Sequence, residues 1–206
     1  MTPPSNNNQL SISTLKVEYN NLSATEVKLV DSILKTPPKQ FKSGMTARVF
    51  ELPGNKICRI QSKTFTNKKI SAMKAMANTL NWQMACIYAH SKHVPKIYFV
   101  GFVGSKKSPS VVVTVMEKLA SAHRYANNRM FEYLLVDIEM TMQTGEDMTD
   151  ESEEFLEKNK KLGTIASFTK LGDFMCTTGL EFNDVHSGNV MIRPSTGCLV
   201  ITDPIA

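Results

Sequence analysis

Residues 183–204 read NDVHSGNVMIRPSTGCLVITDP, a stretch with an unusual density of polar side chains. Four residues separate Asp184 from Asn189. Two short apolar runs follow, VMI and LVI, with the turn-forming residues PSTG between them, and Asp203 stands just beyond the second run. Apolar runs joined by Pro, Ser and Gly predict a β-hairpin. The sequence therefore predicts a loop, a hairpin and a carboxylate in close succession.

These residue types suit the chemistry of phosphoryl transfer. One carboxylate can orient an attacking hydroxyl group, while an amide oxygen and a second carboxylate can hold Mg²⁺ against nucleotide phosphates. A loop that leads into a two-stranded ribbon can bring Asp184, Asn189 and Asp203 together. A purely structural alternative is open for each residue: Asx turns for the first two, and a strand-end cap for the third. That alternative does not explain their combined spacing.

The sequence before this stretch has a helical pattern. Residues 124–143 and 153–178 contain no proline and predict two long helices. The acidic run TGEDMTDESEE joins them. Because carboxylates are favourable at a helix N-terminus, we interpret this run as a solvated linker and helix start. The second half of the chain is therefore predicted to be mainly helical.

The first half predicts strands around one helix. Residues 46–50 and 56–60 are β-type runs separated by ELPGN, which contains strong turn residues. Residues 67–89 lack Gly and Pro and predict a helix, after which KIYFVGFVG and SVVVTVMEKL predict a second antiparallel pair. The predicted fold class is α+β, with a β-rich lobe over residues 23–118 and a reduced helical lobe over residues 119–206.

The N-terminal residues 1–22 are rich in Asn, Ser, Pro and Thr, with few large apolar side chains. Such a segment cannot offset its loss of conformational entropy by burial, so we predict a flexible arm. The fold is expected to begin with a helix over residues 24–35. Its apolar residues recur at helical spacing, and Ser23 is a suitable N-cap.

Composition and charge restrict the classes of function. The chain has 206 residues, of which 42% are hydrophobic, and a formal net charge of +5. Its lysines lack interleaved aromatic side chains, so we interpret the charge as a solvated basic face and do not predict direct binding of nucleic acid. The sequence has no run of roughly 18 apolar residues and no secretory signal pattern, so we expect no membrane contact and a soluble intracellular protein.

The four cysteines are far apart and form no CxxC pair, which favours reduced thiols over a disulfide framework. Cys86, His90 and His93 are a candidate zinc cluster, because the first two are one helical turn apart and the third follows within reach. The sequence shows no obvious fourth ligand, which argues against zinc.

The arrangement D-x-x-x-x-N, strand, turn, strand, D resembles the catalytic loop and metal-binding Asp of protein kinases. More narrowly, HSGNVM followed by VITDP is similar to the early serine/threonine protein kinases of short-tailed bacteriophages, a family that modifies host proteins and helps to shut off host transcription. The resemblance implies a bilobal protein-kinase-like fold with a β-rich N-lobe and a short, mainly helical C-lobe. It also implies that Asp184 is the catalytic base, and that Asn189 and Asp203 bind metal.

A second match is KSGMTARVF, residues 42–50, which resembles a reduced glycine-rich loop with alanine in place of a third glycine. The strand KICRI then puts Arg59 where the phosphate-contacting lysine of kinases belongs, and Met116 falls near the adenine. The resemblance therefore implies ATP and Mg²⁺ as cofactors, with Gly44, Val49, Arg59 and Met116 at the nucleotide.

Two features depart from the kinase pattern. Arg59 is a planar guanidinium, whereas lysine presents a compact ammonium to the phosphates. No glutamate occurs between Glu51 and Glu117, so the usual partner on the neighbouring helix is absent. A pairing of Glu51 with Arg59, or charge supplied by Lys68 or Lys74, remains open as a substitute.

Two functions from different classes follow. The first is an ATP- and Mg²⁺-dependent serine/threonine kinase that acts on host bacterial proteins, with transcription machinery among them, in the cytoplasm of the host bacterium. The second is a kinase-shaped protein that inhibits a host factor by binding, with little or no catalysis. A small-molecule kinase is a weaker third, because the chain lacks room for a large helical insert. We expect a homo-oligomer or a docked target to cover the edge of the short helical lobe.

Overall fold

The computed structural model describes residues 10–36, 42–43, 47–62, 69–125 and 127–205. It has the predicted α+β class, with a six-stranded sheet of order β1-β5-β6-β4-β3-β2 and a three-stranded sheet of order β7-β8-β9, in which all paired neighbours are antiparallel. The strands are β1 (Lys16–Asn20), β2 (Lys42–Ser43), β3 (Ala47–Leu52), β4 (Lys56–Ser62), β5 (Ile97–Ser105), β6 (Ser108–Glu117), β7 (Ala120–Ser121), β8 (Val190–Ile192) and β9 (Leu199–Ile201).

Five α-helices are present in the described part of the chain. Two lie within the first half of the chain, where they cover opposite faces of the six-stranded sheet, and three follow the connection between the sheets. Among the described residues, no helix is long and apolar enough to cross a membrane. The α-helices are α1 (Ala24–Lys35), α2 (Lys69–Ala89), α3 (Arg129–Thr144), α4 (Asp150–Lys158) and α5 (Ile165–Met175).

The first helix has the predicted bounds. Ser23 caps it by a capping box in which its backbone N–H donates to Glu26 Oε2 at 2.9 Å. Glu26 also bonds Lys56 on β4, and this contact is the main reason why the pKa of Glu26 falls from 4.5 to about 2. The buried side chains of α1 pack on the same sheet face as Phe50 and Phe99. Both local capping and tertiary burial therefore stabilise α1.

The predicted flexible arm is wrong for residues 10–22. Lys16–Asn20 forms the edge strand β1, paired with β5 in antiparallel register. Leu15 is only 8% exposed, and the backbone N–H of Ile12 donates to Asp31 Oδ1 at 2.9 Å. The prediction considered only the burial of side chains, whereas this segment is ordered by backbone hydrogen bonds to a distant strand. Residues 1–9 lie outside the described part.

The two long helices predicted after residue 120 also need correction. The first begins at Arg129, five residues later than expected, because Asn128 caps it and bonds the backbone N–H of Met130 at 2.9 Å. The predicted helix over residues 153–178 is divided into α4 and α5. Between them, a Cβ at Gly163 would lie 2.5 Å from Cε1 of His93, so this point of close packing requires glycine.

His93 joins three parts of the chain within the core. It is fully buried, its Nδ1 lies 2.8 Å from the carbonyl oxygen of Leu199 on β9, and its Nε2 lies 2.7 Å from Oγ of Ser167 on α5. The ring stacks on Phe168 at a centroid distance of 3.8 Å. Burial lowers the pKa of His93 from 6.5 to about 4. The folded protein therefore keeps this imidazole neutral.

We expect the folded state to lose stability between pH 6.5 and pH 4 through His93. In this window the unfolded chain binds a proton and the folded chain does not, so the free energy of unfolding falls as the pH falls. The total loss should be roughly 3 kcal/mol. Urea unfolding at a series of pH values measures it. His93→Gln should flatten the slope, whereas replacing the exposed His123 should not, and equal slopes for both variants would contradict the assignment.

A second prediction concerns the contact between α3 and α5. A Cβ at Gly172 would lie 2.4 Å from Cγ2 of Thr141, so the helices approach closely here, yet Thr141 Oγ1 is buried without a hydrogen-bond partner among the described residues. Thr141→Val keeps the shape and removes that hydroxyl, so the free energy of unfolding should rise by about 1 kcal/mol. Thr141→Ser keeps the hydroxyl but loses the methyl and should destabilise. Denaturant titration distinguishes them, and a less stable Val variant would refute the prediction.

Candidate active site

A cleft of about 230 Å³ lies between the six-stranded sheet and the β8-β9 hairpin. Five of the predicted site residues line it: Val49, Arg59, Met116, Asn189 and Asp203. The strand register explains why Val49, Arg59 and Met116 lie on the same wall of the cleft. Arg59 lies opposite Val49, and Ile57, two residues earlier on β4, lies opposite Met116. Residues two apart on a strand share a face. The sheet therefore presents an apolar wall and one guanidinium to the hairpin.

Two predicted residues lie elsewhere. Asp184 does not line the cleft but contacts Asn189, which does. Gly44, the predicted glycine of the nucleotide loop, falls outside the described residues, and so do most of the residues around it. The contribution of that loop stays a prediction.

The amide of Asn189 is oriented by Asp184. Its Nδ2 lies 2.7 Å from Asp184 Oδ2 and 2.9 Å from the Asp184 carbonyl oxygen. These bonds use both hydrogens of the amide, and within the described part of the chain no group donates to Asn189 Oδ1. The loop is closed by Thr202, whose N–H and hydroxyl both donate to the Asn189 carbonyl at 2.9 Å. The orientation leaves the amide oxygen available as a ligand atom.

Asp203 forms an ion pair with Arg59. Arg59 Nη2 lies 3.0 Å from Asp203 Oδ2, and both side chains are partly exposed to the cleft. The segment that carries Asp203 is fixed on both sides, by the indole N–H of Trp82, which donates to the Thr202 carbonyl at 3.0 Å, and by the Pro204 carbonyl, which accepts from the N–H of Asp184 at 3.1 Å. The backbone thus holds Asp184 and Asp203 at neighbouring positions.

Sequence reasoning missed the support that α3 gives to this loop. Gln143 Oε1 accepts the backbone N–H of Phe182 at 2.7 Å, and Glu139 Oε2 accepts that of Val185 at 2.8 Å. The sequence gives only a weak indication of this contact, namely two polar side chains one helical turn apart on α3. Their acceptor atoms satisfy backbone donors of a loop that has no regular partner strand.

The proposed pairing of Glu51 with Arg59 does not occur. Glu51 lies opposite Ile57 on β4 and pairs with Lys118 instead. Glu51 and Arg59 share a face of the sheet but are two positions out of register, so they form a diagonal pair rather than a directly opposed one. Lys74 lines a different cavity, beside residues 179–183, and Lys68 lies outside the described residues. The observed partner of Arg59 is Asp203.

The candidate zinc cluster is not supported by the geometry. Both ring nitrogens of His93 face protein groups, and burial raises the pKa of the Cys86 thiol well above its usual value. Within the described ranges no group of three His, Cys, Asp or Glu side chains could hold a metal ion. Helical spacing alone could not show that His93 points into the core beyond the end of α2.

A larger cavity, about 760 Å³, lies between α4 and α5 and contains none of the predicted site residues. Its lining carries charges of both signs, among them Glu153, Lys160 and Asp173. The smaller cleft is the better candidate for chemistry, because it combines an apolar wall with the convergent polar groups Arg59, Asn189 and Asp203.

The sequence matches no model of a known protein family. A search of curated proteins likewise finds no significant match.

Beside the cleft, Arg193 and Glu117 form a nearly buried ion pair. Arg193 Nε lies 2.9 Å from Glu117 Oε2 and 3.1 Å from Oε1, and the two side chains are 16% and 12% exposed. Arg193 also donates to the carbonyl of Val94 at 2.9 Å, while Glu117 accepts the N–H of Lys96 at 2.9 Å. The bond to Glu117 raises the pKa of Arg193. This contact fixes the hairpin to the end of β6.

We expect Glu117→Ala to lower the free energy of unfolding by about 2–4 kcal/mol, because it leaves the Arg193 guanidinium mostly buried without its carboxylate. Denaturant titration measures the change. Lys158→Ala, which breaks the exposed pair with Glu154, is the control and should show no measurable loss. Equal effects of the two substitutions would show that the Glu117 contact does not hold the sheets together.

Proposed function

We propose that this protein is an ATP- and Mg²⁺-dependent phosphotransferase with a bilobal protein-kinase-like fold, in which residues 23–118 bind the nucleotide and residues 119–206 carry the catalytic loop. The closest fit is a serine/threonine protein kinase of the type found in short-tailed bacteriophages. Its substrates would be host bacterial proteins, transcription machinery among them, in the host cytoplasm. The family, substrates and location rest on the sequence resemblance.

One observation carries the chemical part of the proposal. Arg59 and Asp203 are 144 residues apart in the chain, yet their side chains meet in a cleft that Asn189 also lines. An Asx turn accounts for a local contact between Asp184 and Asn189, but it gives no reason for Asp203 and a cation from the sheet to converge on the same place. A phosphate-transfer site requires this convergence.

Each residue then has a role that its position supports. Asp184 would orient the substrate hydroxyl and accept its proton, while Arg59 would hold phosphate oxygens by charge-assisted hydrogen bonds. Val49 and Met116 would contact the adenine from the sheet side. The remaining polar groups, Asn189 and Asp203, offer oxygen atoms toward the same cleft. The chain's contribution is thus mainly positioning and electrostatic stabilisation.

The donor set suits Mg²⁺. This ion takes hard oxygen ligands and usually keeps several waters, so one or two protein groups with substrate phosphates complete its coordination. Asn189 Oδ1 and the Asp203 carboxylate would supply those protein ligands, and a cluster of three acidic or histidine side chains is not required. When bound, the ion neutralises negative charge on the phosphates.

A kinase-shaped binding protein is the second candidate. Two observations favour it: α2 contains no acidic residue to pair with Arg59, and Arg59 instead bonds the carboxylate that would hold the metal. Protein kinases join this helix to the sheet by an ion pair. Here the described contact between α2 and the sheet is a neutral, buried hydrogen bond, in which Thr114 Oγ1 donates to Gln83 Oε1 at 2.6 Å. Such a protein would inhibit a host factor without turnover.

Transfer of labelled phosphate from ATP in the presence of Mg²⁺ tests the two candidates. The native chain, alone and with bacterial lysate, is compared with Asp184→Asn and Asp203→Asn, and with Asp173→Asn as a control that changes an exposed carboxylate on α5. We expect the first two substitutions to lower transfer by at least about 100-fold, because each removes a group that acts on the reacting atoms. The control should retain full activity.

The alternative gives a different set of results. If the native chain transfers no label to itself or to lysate proteins, and both site variants still bind the same host components, the kinase proposal fails and the binding function stands. Calorimetric titration with ATP and Mg²⁺ separates loss of nucleotide binding from loss of chemistry.

A further inference from the structure

His186 lies between Asp184 and Asn189 on the exposed side of the loop. Its Nδ1 lies 3.0 Å from the backbone N of Gly188, and its Nε2 lies 3.4 Å from Asp184 Oδ1 and 3.0 Å from Asn189 Nδ2. His186 does not line the cleft, whereas Gly188 and Asn189 do. The imidazole thus approaches Asp184 from outside the cleft.

The hydrogen-bond pattern determines the tautomer of this ring. The backbone N–H of Gly188 can only donate, so Nδ1 must be the acceptor, and a neutral imidazole then carries its hydrogen on Nε2. Asn189 Nδ2 already directs its two hydrogens to the carbonyl and Oδ2 of Asp184. With its hydrogen on Nε2, the ring meets Asn189 Nδ2 at 3.0 Å as a contact between two donors. The acceptor nearest to this hydrogen is Asp184 Oδ1, which lies 3.4 Å from Nε2, within ion-pair range but longer than a regular hydrogen bond.

Gly188 supports the same arrangement. A Cβ at this position would lie 2.7 Å from Cε1 and 3.1 Å from Nδ1 of His186. Only glycine leaves the ring in its observed place, because a methyl group at 2.7 Å would push the imidazole away. The spacing H-S-G thus gives His186 both a donor for Nδ1 and room for the ring.

We propose that His186 is a positioning residue that holds the Asp184 carboxylate for its role as general base. The inference rests on the proposed phosphotransferase function. Asn189 bonds Oδ2 at 2.7 Å and His186 Nε2 lies 3.4 Å from Oδ1, so both carboxylate oxygens face a fixed donor and the carboxylate is held in one orientation. Oδ1 keeps a lone pair for the substrate hydroxyl. His186 does not line the cleft, so its effect is expected on turnover, through Asp184, and not on nucleotide affinity.

Two substitutions distinguish the role of Nε2 from that of Nδ1. The side-chain amide of glutamine can place a donor near the position of Nε2, whereas asparagine reaches only the position of Nδ1. We expect His186→Ala to lower kcat by about 10- to 100-fold with KM for ATP unchanged within twofold. His186→Gln should recover most of the loss and His186→Asn should not. Replacing the exposed His123 by alanine is the control.

Several results would overturn the proposal. They are an unchanged kcat in His186→Ala, equal rescue by asparagine and glutamine, or a fall in affinity for ADP and Mg²⁺ parallel to the fall in kcat. The last result would place His186 in nucleotide binding. Calorimetric titration of each variant with ADP and Mg²⁺ supplies the affinity, and circular dichroism shows that the variants fold.

Nitrogen NMR of the native chain gives a readout that needs no turnover. The ring of His186 should be the Nε2–H tautomer, and the Nδ1–H tautomer would refute the inferred contacts whatever the activity. If the native chain binds no ATP and transfers no phosphate, the proposed function fails. The Nε2–H tautomer would then mark a structural contact, and the catalytic role of His186 would be rejected with that function.

Discussion

The ion pair of Arg193 and Glu117 is the contact on which the relative position of the two sheets depends. Glu117 ends β6, and Arg193 directly follows β8, so their two-oxygen contact joins the last long strand of one sheet to the hairpin of the other. Two mostly buried charges are tolerated only when their hydrogen bonds are satisfied. Here the surrounding backbone, at Val94 and Lys96, supplies the remaining partners. The position of the cleft walls therefore depends on a directional ion pair in addition to apolar packing.

A second set of hydrogen bonds fixes the backbone segments that carry the candidate site residues. Helices α2 and α3 act on opposite ends of the polar stretch: Trp82 on α2 fixes the segment before Asp203, and Glu139 on α3 fixes the loop at Val185. Supporting groups of this kind decide how closely a site keeps a productive arrangement. The polar groups Arg59, Asn189 and Asp203 come from three different places in the fold, namely strand β4, the loop before β8 and the segment after β9.

The parts of the fold that sequence predicted are those that local chemistry determines. The Ser23 capping box and the turn at residues 53–55 act within a few residues, so helix α1 and the β3-β4 hairpin could be inferred directly. The missed features depend on distant partners. Strand β1 exists because β5 offers a free edge, the helix break at Gly163 exists because His93 packs against it, and the Arg193 contact spans 76 residues. The same division holds in the site, where spacing indicated the candidate residues and only the fold could show that Arg59 bonds Asp203.

Trp82 gives the molecule an optical property that follows from its position. It is the single tryptophan of the chain, its side chain is 1% exposed, and its indole N–H donates to the carbonyl that precedes Asp203. The ring also meets Phe182 edge-on at 6.0 Å, two residues before Asp184. Tryptophan fluorescence therefore originates at one point, between the segments that carry Asp184 and Asp203. Any ligand that displaces either segment changes the emission of this indole, so the protein carries its own label-free reporter of occupancy.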